Sequence, residues 1–422
     1  MSGPVDIAII GAGAAGLMAA IHAGRAARDA GAVRRIVLLD GAKHIGAKIL
    51  VAGGGRCNVT HDVVEDSAYA GSSRNAIRKV LRRFDVPRTI KFFREIGVEL
   101  KREDTGKLFP TTDDARTVLD ALLRAARDAG VQLMHPWRVR TIERTSDGFL
   151  VSGDTAAQSI PARRVVLATG GKSLPKTGSD GAGYELARSL GHSVTPRILP
   201  SLVPLTLPDE HPICALSGVS AMATLQARSG SGRILKSFTD STLCTHFGLS
   251  GPSVLDISRY LIDARQDDPD AHLVINWLPV ESREAVDRAL IGLGKISPGR
   301  FLREHGLPAR LAETLCAIAG VDPSGSANQL TREQRRALAS AVTNLTVPVT
   351  GDRGFAHAEV TAGGVPLSEV RLETMESRLC PGLHIIGEIC DVDGRIGGYN
   401  FQWAWASGYV AGRACASSSF PP

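Results

Sequence analysis

With 422 residues, 43% of them hydrophobic, the chain is long enough for two or three domains of about 150 residues, each with its own core, which excludes a disordered tail protein. Glycine supplies 45 residues, about 11% against a usual ~7%, without a collagen period, so tight turns and close backbone approaches to a ligand are expected. The excess of 49 basic over 43 acidic residues (+6) leaves an anionic or nucleic-acid partner open without requiring one.

The cysteines, Cys57, Cys214, Cys244, Cys316, Cys380, Cys390 and Cys415, are scattered and form no C-x-x-C pair. That pattern argues against a disulfide scaffold, a zinc ribbon or a dithiol centre, and points to a reducing, cytoplasmic setting with no metal site.

Val5–Ile10 is an apolar run that meets Gly11, Gly13 and Gly16, with Asp6 and no basic segment before it. It reads as a strand buried on both faces, not as a signal peptide. No other stretch has the ~18 apolar residues of a membrane span. Ala14 to Ala30 is patterned as a helix and Arg35–Asp40 as a second strand, which completes a β-α-β unit. The glycines between them spell G-x-G-x-x-G. Gly11 makes the turn, Gly13 admits a pyrophosphate to the backbone, and Gly16 lets helix and strand pack. The helix N-terminus, with Ala14 and Ala15, faces the phosphates, and Asp40, followed by Gly41, can accept the ribose hydroxyls.

Gly53, Gly54 and Gly55 precede Arg56, Cys57 and Asn58. Three consecutive glycines cost backbone entropy, so this loop is expected to lie against something flat or phosphorylated. Gly54, Gly55, Arg56 and Asn58, with Lys48 before them, join the expected cofactor shell. Arg56 is suited to a pyrophosphate or an anionic substrate. Cys57 is suited to protonating a substrate carbon once hydride has reached its neighbour, or else to simple packing beside the cofactor.

Arg74, Arg78 and Arg82 form an i, i+4 stripe with Lys79 and Arg83 beside it, opposite apolar Ile77, Leu81 and Phe84. Extended by Arg88, Lys91 and Arg94, this segment is either a solvated helix face or a patch for a phosphate backbone.

A strand ending in a glycine turn recurs at Arg164–Gly171, where Thr169 and Gly170 are further cofactor candidates, and again at Leu383–Gly387. Strands so far apart share a sheet only if something large is inserted between them. Pro196, Pro200, Pro204, Pro208 and Pro212 mark an extended connector, since no α-helix tolerates prolines at that spacing. The expected organisation is a cofactor domain over 1–195 and 351–422, a β-rich substrate domain over 196–280 and 343–350, and a helical subdomain over 281–342. Thr346–Gly351 is read as the return, and Ser417–Pro422 as a frayed tail. His246, ahead of the Ser250-Gly251-Pro252 turn, is a candidate general acid or an ordinary hydrogen-bonded histidine.

Near the C-terminus, Gly387 and Glu388 lead to Asp393, a glycine-then-acid form that places a carboxylate on a ribityl chain. Gly397, Gly398, Tyr399, Asn400 and Phe401 then run into a helix expected over Gln402 to Ala414. Its amides and dipole suit the pyrimidine end of a reduced flavin, and Tyr399 is a further candidate acid. No second G-x-G-x-x-G follows a strand, so NAD(P)H would dock only transiently.

The stretches Gly46–His61, Gly106–Leu122, Gly170–His192, Thr245–Ser258 and Glu359 to Gly412 resemble, in order and over nearly the whole chain, one bacterial family of FAD flavoproteins. It contains proposed bile-acid-type enone reductases and ribosomal RNA dihydrouridine synthases. Members usually carry glutamate at Asp40, an aliphatic residue at Cys390 and serine at Ala52, which weakens Cys390 as a shared catalytic group. The resemblance implies an α/β fold, with a Rossmann-like FAD-binding domain of the two-dinucleotide flavoprotein type, an inserted β-rich domain and a helical subdomain. It implies an NAD(P)H-dependent reductase of an activated C=C bond, in uridine of 23S ribosomal RNA or in a small steroid-like enone. An O₂-using amine or hydroxy-substrate oxidase, and a flavin-containing ribosome-assembly factor, are the alternatives from other classes.

Overall fold

The computed structural model describes residues 3–155 and 158–417, so the tail beyond Ser417 lies outside the described residues. The chain divides into two units, Met1–Pro200 with Val360–Pro422, and Ser201–Glu359.

The first unit is built on a nine-stranded sheet whose centre is parallel. Val5–Ile10 lies between Ile36–Leu39 and Ser159–Leu167, with Gln132–Met134 outside the former and Leu383–Ile385 outside the latter. Register follows the apolar runs: Ile7 pairs with Ile36, Ile9 with Leu38, and Val165 with Leu383. These side chains are buried because helices cover both faces of a parallel sheet. The strand from the C-terminal segment therefore completes a sheet begun at the N-terminus, as the separated strand motifs require. The first helix, Ala14–Asp29, begins at the expected place.

The last helix, Tyr399–Ser417, starts three residues earlier than its patterning indicates and lies along the first. Gly408 and Gly412 make that approach possible: a Cβ at Gly408 would stand 2.6 Å from Ala15 O, and one at Gly412 would stand 2.3 Å from Ala19 O. Gly412→Leu is thus expected to destabilise this unit by ~3 kcal/mol. The check is the denaturant midpoint, and an unchanged midpoint would mean that the helices part freely there.

The second unit is a seven-stranded antiparallel sheet that includes Ser220–Arg228, Ile234–Thr245 and His272–Asn276, with helix Pro252–Ala264 packed on it. Helices Arg283–Gly292, Pro298–Glu304, Ala309–Ile318 and Arg332–Thr343 follow. Thr346–Gly351 lies within this unit, which continues to Glu359.

Candidate active site

The first β-α-β unit forms the turn that its glycines dictate. Gly11 has φ +101°, and a Cβ there would meet Ala168 O at 2.4 Å. A Cβ on Gly16 would stand 1.8 Å from Gly11 O, so this position is closed to any side chain. Gly13 differs: it is extended, and nothing lies within 4 Å of the position a Cβ would take. Gly11 and Gly16 are therefore glycines for the protein's own packing, whereas Gly13 leaves room above the first helical amides, those of Ala14 and Ala15. Asp40 accepts from Ala12 N at 2.7 Å and from Ala42 N at 2.8 Å, so its carboxylate ties the glycine turn to the end of the second strand. A carboxylate has about four acceptor positions, which leaves two for ribose hydroxyls. Gly41 sits against Arg138, with 2.7 Å from its would-be Cβ to Arg138 Cδ.

A second anchor joins residues far apart in sequence. Glu388 accepts from Lys48 Nζ (2.5 Å) through one oxygen, and from Ser173 Oγ (2.8 Å) and Thr361 N (3.0 Å) through the other. Lys48 also donates to Ser173 Oγ at 2.8 Å. Lys48 and Glu388 thus hold the Ala168–Ser173 turn to the return segment, and little of the Glu388 carboxylate remains for a ribityl chain. Gly387, at φ +74°, stands 2.8 Å (Cβ position) from Ala15 Cβ, which brings this turn to the start of the first helix. Gly170 also has positive φ, and Thr169 Oγ1 is buried with no hydrogen-bond partner. Asp393 is buried in the short strand Val392–Gly394.

The triglycine loop closes the helix that begins at Ala47. Its φ values are +59°, +69° and +87° for Gly53, Gly54 and Gly55. A Cβ on Gly53 would touch Asn58 N and Phe109 at 3.0 Å, but Gly54 faces open space. Asn58 is buried and its Oδ1 has no hydrogen-bond partner. Arg56 is placed otherwise than its expected role requires. It pairs with Glu103 at 2.6 Å and lies over the Phe109 ring at 4.0 Å, so its guanidinium is committed to the neighbouring hairpin. Cys57 also has positive φ (+59°) and is fully buried, and burial pushes its thiol up to about 12. This is the surrounding of a packed side chain.

The start of the C-terminal helix lies beside this loop. Trp405 Nε1 donates to Val59 O, and Thr60 Oγ1 donates to Gln402 Oε1 at 2.7 Å. Gly398 packs on the Thr60 backbone, 2.6 Å from its would-be Cβ. Asn400 exchanges hydrogen bonds with Gly394, and Phe401 stacks on Trp405 at 5.5 Å. Asn400 therefore holds the segment ahead of the helix and Phe401 packs within the helix, whereas Tyr399 stacks on His61 at 5.1 Å and 20°. His61 pairs across strands with Lys107. Neither His61 nor Lys107 was singled out from sequence, because only the pairing of Thr60–His61 with Lys107–Pro110 brings them to Tyr399. His246 belongs to the second unit, at the turn between Ile234–Thr245 and Gly248–Ser250, beside Phe247.

The residues fit a flavin dinucleotide: an open cradle at Gly13, helix amides beneath it, the Asp40 carboxylate at the end of the second strand, and buried Asn58 and Thr169 oxygens lacking protein partners. Among the described residues no helix is long and apolar enough to cross a membrane, and no metal-ligating cluster is found.

Comparison with known proteins gives matches over the same length. The HI0933-like protein Rossmann domain family matches residues 5–414. A 3-dehydro-bile acid delta(4,6)-reductase of Clostridium scindens is 36% identical over 413 residues, covering 97% of this chain and 98% of that protein. A ribosomal RNA dihydrouridine synthase of Escherichia coli is 36% identical over 414 residues, covering 97% of each. Among solved structures, an E. coli quinol fumarate reductase shares the fold at TM-score 0.51 and 16% identity, over 98% of this chain and 70% of that one.

Proposed function

The chain belongs to the HI0933-like family of Rossmann-fold flavoproteins, and from that premise we propose a FAD-dependent reductase that draws electrons from NAD(P)H and saturates an activated C=C bond, with uridine in ribosomal RNA as substrate. FAD, when bound, supplies two-electron chemistry between a nicotinamide and the double bond. The chain's part is to hold it. The Gly11–Gly16 turn and the amides of Ala14 and Ala15 take the pyrophosphate, Asp40 takes the ribose, and Thr169, Gly170, Asn58 and Gly54 line the remainder. Cys57 and Arg56 contribute packing and loop anchoring in this reading. Tyr399 is the acid at the substrate side.

The observation that favours RNA over a small enone is the basic face of helices Arg74–Leu81 and Val86–Glu95. Ile77, Val80, Leu81 and Phe84 are buried, while Arg74, Lys79, Arg82, Arg83 and Lys91 are exposed with no acidic partner among the described residues. Charge reversal at Lys79, Arg82 and Arg83 should weaken binding of ribosomal RNA about tenfold or more. It should also reduce the salt slope by ~3, one for each lost phosphate contact. Bleaching of the flavin by NAD(P)H under anaerobic conditions should be unaffected. If RNA binding is untouched and dihydrouridine in ribosomal RNA is the same with and without this protein, the small-enone reading, suggested by the bile-acid reductase relative, replaces the RNA one. Bleaching only by an amine or alcohol would remove both.

A further inference from the structure

We propose that the basic face of the first unit takes double-helical RNA rather than a single strand, a partner assignment that rests on the RNA reading above and narrows it. The face is made by helices Arg74–Leu81 and Val86–Glu95, of 8 and 10 residues. Arg74, Arg78 and Arg82 recur every fourth residue, a rise of about 6 Å each time, and so share one side. Lys79, Arg83 and Lys91 extend this row of exposed cations. The acids between residues 66 and 99 are each engaged already: Asp66 with Arg78 at 4.0 Å, Glu95 with Arg25 at 3.4 Å, Glu99 with Arg94 at 3.3 Å, and Asp85 with the backbone N–H of Arg88 at 3.1 Å. Positive charge therefore prevails across the face.

The aromatic side chains decide between the two forms of RNA. A single strand is held by rings on which its bases stack, as well as by cations along its backbone. All three aromatic residues between positions 74 and 95 point inward and are buried. The Phe84 ring lies 4.7 Å from that of Tyr409, the Phe93 ring lies 5.3 Å from that of Trp405, and Phe92 packs edge-on against both phenylalanines. The face thus offers charge without stacking. A double helix has its bases stacked already and carries about twice the charge per length of one strand, so it gains most from such a surface.

The face is also braced, as a fit to a stiff partner requires. Ser73 Oγ accepts from Ala76 N at 3.3 Å at the start of the first helix. Arg88 Nη1 donates to Arg83 O at 2.6 Å and to Arg82 O at 3.3 Å, which locks the corner between the helices. Behind it Gln402 Nε2 donates to Phe84 O at 2.8 Å, and Gln402 Oε1 accepts from Thr89 Oγ1 at 2.9 Å. The same oxygen accepts from Thr60 Oγ1. One buried amide therefore holds the basic corner and the Thr60–His61 strand of the candidate site in a fixed relation. The uridine that reaches this site is then one adjoining a duplex, since its base must leave the stack to react.

The test compares a duplex of about 16 base pairs, the span that a double-strand-binding module covers, with one of its strands alone. Each is titrated into the flavin-loaded protein by fluorescence anisotropy at several salt concentrations. The duplex should bind about tenfold tighter or more, with the steeper salt dependence. Lys79→Gln, Arg82→Gln and Arg83→Gln combined, in protein that keeps its flavin absorbance, should bring duplex binding down to the level of the single strand. A single strand that binds as tightly as the duplex overturns the proposal and leaves the RNA reading in place, and so does a duplex preference that survives the triple replacement. Failure of the RNA reading has a different signature: neither form binds, and the proposal falls with it.

Discussion

Gly13→Val is expected to give a folded protein that purifies without yellow colour. Gly13 is extended, a conformation that valine adopts readily, and nothing in the chain lies within 4 Å of the new Cβ. Folding is therefore indifferent to the change. The added side chain would instead occupy the space proposed above for a pyrophosphate at the helix amides. Losing one or two charge-assisted hydrogen bonds costs ~3 kcal/mol, or roughly 100-fold in FAD affinity. Gly16→Val should behave in the opposite order, because its Cβ would stand 1.8 Å from Gly11 O. That variant should fail to fold before flavin binding is an issue. Flavin absorbance after purification and denaturant unfolding of the flavin-free proteins separate the two. A yellow Gly13→Val protein would contradict the assignment of this turn to the pyrophosphate, and a stable Gly16→Val protein would contradict the packing account.

Such contrasts show what kind of information the sequence carried. The β-α-β unit was legible because its signals are local: an apolar run, three spaced glycines, a second run ending in Asp40. The division of roles among the three glycines was read from the same motif, but the contact that closes Gly11 to a side chain was not, since it comes from Ala168, more than a hundred residues away. Arg56 looked available because the acids that take it lie far along the chain, Glu103 in the turn of another hairpin and Asp113 just after that hairpin. Glu388 looked available for a ribityl chain for the same reason, its partner Lys48 being 340 residues earlier. The C-terminal helix begins at Tyr399 because Gly397 and Gly398, both at positive φ, make the turn ahead of it; the pattern Gly-Gly-Tyr-Asn reads locally as loop. In the second unit the strand after Arg233 continues through the polar run Thr239–Thr242. Those residues pair with Ser220–Arg228, as in the 2.7 Å Thr224–Thr239 hydroxyl contact, and hydroxyls with such partners do not end a strand.

Acid should unfold the first unit at a pH where its carboxylates are still largely ionised, because it buries two neutral histidines. His22, on the first helix, lies among Phe84, Phe92 and Tyr409, and its Nε2 is buried with no hydrogen-bond partner. Burial first, then the charges of Arg25 and Arg413, lower its pKa to about 3. His384, on the sheet strand from the C-terminal segment, is lowered to about 4, again chiefly by burial, although Thr374 O accepts from its Nδ1 at 2.9 Å. Unfolded, both would titrate near 6.5, so below that pH the unfolded chain binds protons that the folded one refuses. Stability is then constant above pH ~7 and falls as the pH drops toward ~4; at pH 5 each histidine costs about 2 kcal/mol. Urea unfolding between pH 7 and 5, in saturating FAD, should show a loss of about 4 kcal/mol from the pair. His22→Leu supplies the discriminating comparison. It removes one titrating group from an apolar site, so it should cost some packing at pH 7 yet lose only about half as much stability between pH 7 and 5. An equal loss in both proteins would mean that His22 takes up its proton without unfolding, with Arg25 and Arg413 moving aside.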